Sequence, residues 1–153
     1  MDADSIRRAY VPFVAALREG GFAVPTEGWP VALVAAHVSR NNDLISDAAE
    51  RVVAGERPSY DNSAAVDDAE LRSCADLFDG LGALADAVET SVRRLATAWA
   101  ALGEAKGTDL APALIRDADI VVNDEPIPIR TFIEGNASFH LDLHFAQLKA
   151  LRQ

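Results

Sequence analysis

Apolar residues recur three and four positions apart along four long stretches of the chain, and no sustained two-residue alternation competes with them. The first stretch, about 4–19, puts Ile6, Tyr10, Phe13, Val14 and Leu17 on one face and stops at Gly20–Gly21. The second opens at Trp29–Pro30, where proline occupies a first-turn position whose N–H has no helical partner anyway. It runs to about Val53 and carries Leu33, Val34, His37, Val38, Asn41, Leu44, Ile45, Ala48 and Val52 inward, before Gly55 and Pro58 end it. The third begins at Asp67, where Asp67-x-x-Glu70 has the form of a capping box, and ends near Gly103. Gly80 and Gly82 inside it are expected to loosen or bend it. The fourth begins at Thr131, again with a capping box, Thr131-x-x-Glu134. Its inner stripe reads Ile133, Asn136, Ala137, His140, His144, Gln147, Leu148 and Leu151.

These four stretches predict an all-α four-helix bundle in a single domain spanning residues 1–153. The connections refine the topology. Residues 55–66 are polar, and fully extended they reach roughly 40 Å, enough to cross the length of a bundle and let helices two and three run parallel. The link from 104 to 130 is expected to hold a short helix near 109–117. A small hairpin, Asp119–Asn123 against Ile127–Arg130, is expected before helix four.

Composition narrows the function classes. The chain is half hydrophobic and a quarter charged, which is globular composition. Its formal net charge of −10, with only short basic pairs such as Arg7–Arg8 and Arg93–Arg94, argues against a nucleic-acid partner. No apolar run approaches the roughly 18 residues of a membrane span, and MDADSIRRAY lacks the apolar core of a signal peptide. With one cysteine, Cys74, expected to be packing, the reading is a cytoplasmic protein.

The chemistry concentrates in the histidines. There are three, and all lie on predicted inner stripes. His140 and His144 are one helical turn apart and leave the same face. His37, near the middle of helix two, supplies a third imidazole from another helix. Neutral imidazole suits borderline metals such as zinc, nickel, cobalt or iron. The competing reading is three separate core histidines, each hydrogen-bonded. Burying six ring nitrogens without a common partner is costly, however. Three protein ligands with one position open is the catalytic form of a zinc site. Asn41, Asn136 and Gln147 stand one turn or less from these histidines. The two asparagines are read as orienting water or substrate, or equally as a polar layer fixing helix register. Gln147 is read as a partner to a ligand, or as a helix-end contact. Trp29 is expected to anchor the start of helix two, Trp99 to seal one end of the bundle, and Arg40 to be solvated. No E-x-x-H pair supports a di-iron site.

The segments Trp29-Pro-Val-Ala-Leu-Val-Ala-Ala-His37 and His140-Leu-Asp-Leu-His144-Phe-Ala-Gln147-Leu148 resemble the DinB/YfiT-like superfamily. That resemblance implies a bundle running up-down-down-up, with a divalent metal on His37, His140 and His144, zinc first and nickel next. Related members include mycothiol- and bacillithiol-dependent transferases and isomerases, notably the N-terminal domain of mycothiol-dependent maleylpyruvate isomerase. The last helix of that branch tends to read E-x-x-x-H, where this chain has Asn136 four before His140. The implied function is a metal-dependent enzyme of thiol S-transfer or isomerisation acting on a small molecule. The alternatives are a non-catalytic metal-binding protein and a metal-dependent hydrolase. A homodimer is left open.

Overall fold

The computed structural model describes residues 1–152, apart from the side chains at 104, 105 and 110. The expected domain limit, residue 153, lies outside the described residues. Helix α1 (Ala3–Glu19) starts where the Asp2 carboxylate caps the Ser5 N–H at 2.6 Å, and it ends at Gly20 with φ 71°. Helix α2 (Val31–Ala54) follows Pro30 and closes on left-handed Gly55. Past it come β1 (Tyr60–Asp61), the single-turn α3 (Ser63–Val66) and α4 (Asp68–Ala75). Helix α5 (Gly80–Gly107) leads into β2 (Leu110–Ala111), β3 (Ala113–Asp117), β4 (Ile120–Asn123) and β5 (Ile127–Pro128). The chain finishes with α6 (Ile129–Gly135), a π turn (Asn136–His140) and α7 (Leu141–Leu151), one continuous helical stretch.

The molecule is thus mostly helical with a small mixed sheet, and the all-α expectation is corrected. β3 joins β1 in parallel and β4 antiparallel, while β2 pairs with β5 in a separate two-stranded ladder. Residues 109–117, expected as a short helix, are extended. Pro112 sits in their middle, lacks an N–H and would clash with the preceding turn of a helix. The expected hairpin is re-paired as well. Residues 120–123 fold back on β3 around a two-residue turn, Ala118–Asp119 with Ala118 at φ 50°, while Ile127–Pro128 joins Leu110–Ala111.

Two helix expectations change too. The third helix is two: α4 stops at Ala75, and α5 starts at Gly80, whose φ of 79° no ordinary side chain adopts cheaply. Leu77, within the span expected as one helix, lies in this break and is 81% exposed. The Asp67 cap is present, its carboxylate accepting from the Glu70 N–H at 2.9 Å. The predicted Gly103 stop appears as a break inside α5, at φ 59°. The last helix begins at Ile129 after Pro128, two residues before Thr131, so its start has no side-chain cap.

One core joins α1, α2, α5 and the C-terminal stretch; Ile6, Phe13, Leu17, Ile45, Leu95, Ile129 and Ile133 are fully buried in it. Arg94 on α5 pairs with Asp43, Asp47 and Glu50 of α2, and Lys106 Nζ donates to the Val53 carbonyl at 2.6 Å, so these two helices run the same way. The connection that allows this is anchored. Asn62 donates to the Arg116 carbonyl and accepts from the Arg116 N–H, tying 60–62 to β3. A satellite cluster of Leu33, Ala36, Leu71 and Ala75, with Trp29 and Cys74 against it, holds α4 on the first half of α2.

Because Leu95 is fully buried at the centre of this core, Leu95→Ala should destabilise the protein by about 2–5 kcal/mol. Leu77→Ala should change stability by less than about 0.5 kcal/mol. Urea midpoints of the two variants, at unchanged m, check both.

Candidate metal centre

The site begins with the spacing of α2 and the C-terminal stretch, which cross with opposite direction: His37 meets His140 and His144, and one turn further along α2 Asn41 meets Asn136. His37 is 3% exposed and His144 8%, while His140 is half-buried. His140 Nε2 lies 3.0 Å from His37 Nε2 and 3.0 Å from His144 Nε2.

The outer nitrogens fix which face each ring presents. The His37 Nδ1–H donates to the Ala65 carbonyl of α3 at 2.5 Å, and the His144 Nδ1–H donates to Gln147 Oε1 at 2.7 Å. Both rings therefore turn a lone pair on Nε2 toward His140. His140 has one proton at most to offer from its own Nε2, so one of the two 3.0 Å approaches holds no hydrogen bond. A cation would satisfy all three at once. Nitrogens 3.0 Å apart both fit about 2.0–2.1 Å from one ion, the usual zinc–imidazole distance. The three residues offer ligand atoms within 4.8 Å of one another and so could hold a metal ion.

Electrostatics point the same way. Burial lowers the pKa of His37 to about 4, assisted by the neighbouring His144 and opposed by the bond to Ala65. Burial also lowers His140, with His144 and His37 adding to it, and lowers His144 against the opposing bond to Gln147. All three imidazoles are held neutral, the state in which imidazole binds metal. Trp29 covers the cluster from the start of α2, its ring 5.1 Å from that of His37 and its Nε1–H donating to Asp68 at 2.7 Å.

Beneath the histidines lies a buried polar layer. Asn41 Nδ2 donates to Asn136 Oδ1 at 2.7 Å; Asn136 Nδ2 donates to Asn42 Oδ1 at 2.8 Å and to the Tyr10 hydroxyl at 3.0 Å. Tyr10 donates to Asn42 Oδ1 at 2.8 Å, Tyr60 donates to Asn41 Oδ1, and Asn42 Nδ2 reaches Ser91 Oγ at 3.2 Å. Burial raises both phenols far above their ordinary pKa, so they remain protonated donors. The amides of Asn41 and Asn136 are thus turned into one another and into this layer. Sequence reasoning missed Tyr10, Asn42, Tyr60 and the Ala65 carbonyl. Tyr10 stood on the first stripe as an ordinary core position, Asn42 lay beside the second stripe, Tyr60 fell in the polar 55–66 link, and a main-chain oxygen has no side-chain signal. Cys74 packs in the satellite cluster and is half-buried, Arg40 is exposed, and Trp99 is buried beneath the Arg130 guanidinium at 4.1 Å.

The family model of the mycothiol maleylpyruvate isomerase N-terminal domain matches residues 3–118. The chain belongs to that family. The family lies in the DinB-like superfamily. The matched stretch contains His37, whereas His140 and His144 lie beyond it and join the site through geometry. No curated protein and no solved structure matches the chain. No helix among the described residues is long and apolar enough to cross a membrane.

The depressed histidines set a pH dependence for the metal-free protein. Above pH 6.5 His37 is neutral folded or unfolded; below it the unfolded chain takes up a proton that folded His37 refuses until about pH 4. Stability present above pH 6.5 is therefore lost as pH falls through this window, by on the order of 3 kcal/mol from His37 alone. Denaturant midpoints in chelator between these pH values should fall steeply in the parent protein and less in His37→Gln.

Proposed function

We propose that this chain binds one divalent metal ion through His37, His140 and His144, zinc first and nickel next, and uses it for mycothiol-type thiol chemistry, S-transfer or isomerisation of a small molecule. The observation that carries the reading is the convergence of three Nε2 atoms with too few protons to satisfy one another. The directions of α2, α5 and the C-terminal stretch support reading the helical part as a DinB-like bundle, up-down-down-up. Three imidazoles leave a tetrahedral ion one position short, and among the described residues no carboxylate joins the cluster. Such an ion, when bound, lowers the pKa of a thiol or water and so supplies a nucleophile at neutral pH.

In this reading the protein's own residues do three things. His37, His140 and His144 hold the ion on rings kept neutral by burial. The Ala65 carbonyl and Gln147 Oε1 fix the tautomers that aim Nε2 inward, the outer-shell role that strengthens metal affinity. Trp29 and α3 keep water from His37.

A second reading is favoured by one observation. His37 and His144 are almost fully buried, so a metal there also ties α2 to α7 and stabilises the fold without turnover.

Freshly purified protein should hold about one metal per chain, and His37→Ala, His140→Ala or His144→Ala should each lose most of it by elemental analysis. Full metal content in the His37 variant would remove α2 from the site. Titration of the metal-loaded protein with a mycothiol-type thiol should give saturable heat that is absent after chelation. Metal without thiol binding, together with a melting temperature lowered by chelator, would leave the stabilising reading in its place.

A further inference from the structure

His140 ends a π turn and His144 follows it by one turn, so the direction of both rings depends on a local geometry that an α-helix does not hold by itself. In the turn Asn136–His140, the Leu141 N–H donates to the Asn136 carbonyl, five residues back. A π turn accommodates one residue more than an α turn, is rare, and is kept only where its surroundings demand it. If it relaxed to α geometry with no residue removed, everything after it would rotate by about 100° relative to everything before. His140 and His144 would then swing away from His37, which is fixed on another helix through Ala65.

The surroundings that demand it are visible at its first residue. Asn136 is 3% exposed, and its amide makes three side-chain hydrogen bonds, to Asn41, Asn42 and Tyr10, on α2 and α1. These pin the upstream end of the turn from two helices. Within the turn, the Ser138 hydroxyl donates to the Glu134 carbonyl at 2.6 Å. Downstream, buried Leu141 and Leu148 seat α7 in the core. Held at both ends, the segment keeps its extra residue.

We infer that Asn136 is a positioning residue: its amide, held by Tyr10, Asn41 and Asn42, locks the π turn that aims His140 and His144 at His37. This rests on the metal reading for its consequence but not for the lock itself. It assigns Asn136 to the shape of the site and leaves the fourth metal position to an external ligand.

The test uses the full chain and cobalt(II), whose visible spectrum reports coordination geometry. Asn136→Leu keeps the volume and removes all three bonds; Tyr10→Phe is a milder second variant, distant in sequence from the ligands, that removes the hydroxyl partner. Both should bind cobalt on the order of 10-fold more weakly than the parent, because the ligand rings are no longer held in the productive geometry, with a changed spectrum. In both variants the Leu141 amide should exchange faster than it does in the parent, in metal-free protein as well. Parental affinity, spectrum and Leu141 exchange in either folded variant would overturn the inference and leave the metal reading intact. If the parent itself binds no cobalt, the metal reading fails, and Leu141 exchange alone decides the lock: faster in the variants supports it, unchanged overturns it.

Discussion

Three imidazole nitrogens meet at one buried point where two lone pairs are already committed and one proton at most is available. His37 and His144 spend their outer N–H groups on Ala65 and Gln147, so their inner nitrogens can only accept. His140 stands 3.0 Å from both. Protonating the cluster is opposed by burial and by the neighbouring rings. Leaving it neutral keeps one nitrogen without a partner, a cost of about 1–3 kcal/mol for a buried polar atom. In the proposed reading a divalent cation is the partner that resolves this shortage, and much of the surrounding structure is arranged around the same point.

Each element contributes a constraint. α3 exists as a single turn that places the Ala65 carbonyl, and it is stationed there by Asn62 gripping β3 from both sides. α4 packs on the first half of α2 through Leu71 and Ala75 and gives Trp29 the Asp68 carboxylate that holds its ring near His37. The polar layer of Tyr10, Asn41, Asn42, Tyr60 and Asn136 crosses the core one turn away from the histidine cluster. Fully hydrogen-bonded, such a layer admits few alternative registers of α1, α2 and the C-terminal stretch. The broken third helix and the small sheet, which look like departures from a plain bundle, are the pieces that bring α3 and α4 to the site.

Much of this was legible in the sequence. Helical periodicity located α1 and α2 closely, and the spacing of His140 and His144 put both on one face. The length of the 55–66 link anticipated that α2 and α5 run the same way. What was illegible has physical reasons. Asp76–Asp79 and Gly80 break a stripe whose apolar spacing continues undisturbed into Leu81 and Leu84, so periodicity alone could not see the break. The strands between 110 and 128 are short and pair with distant partners, Tyr60 with Ala113 and Leu110 with Pro128, which no local pattern encodes. Pro112 was the available signal against a helix there. The π turn leaves no mark in composition. The role of Asn41 and Asn136 depended on which way two amides point, and the sequence could offer only both alternatives.

The claim at the centre is that three imidazoles, from α2 and from the C-terminal stretch, surround one ion. X-ray absorption spectroscopy of the zinc-loaded protein reads that ligand set directly. The account predicts a first shell of nitrogen and oxygen at about 2.0–2.1 Å, with the outer-shell scattering of three imidazoles, falling to two in His37→Ala. A shell with sulfur from Cys74 at about 2.3 Å, or one imidazole or none in the parent protein, would contradict it.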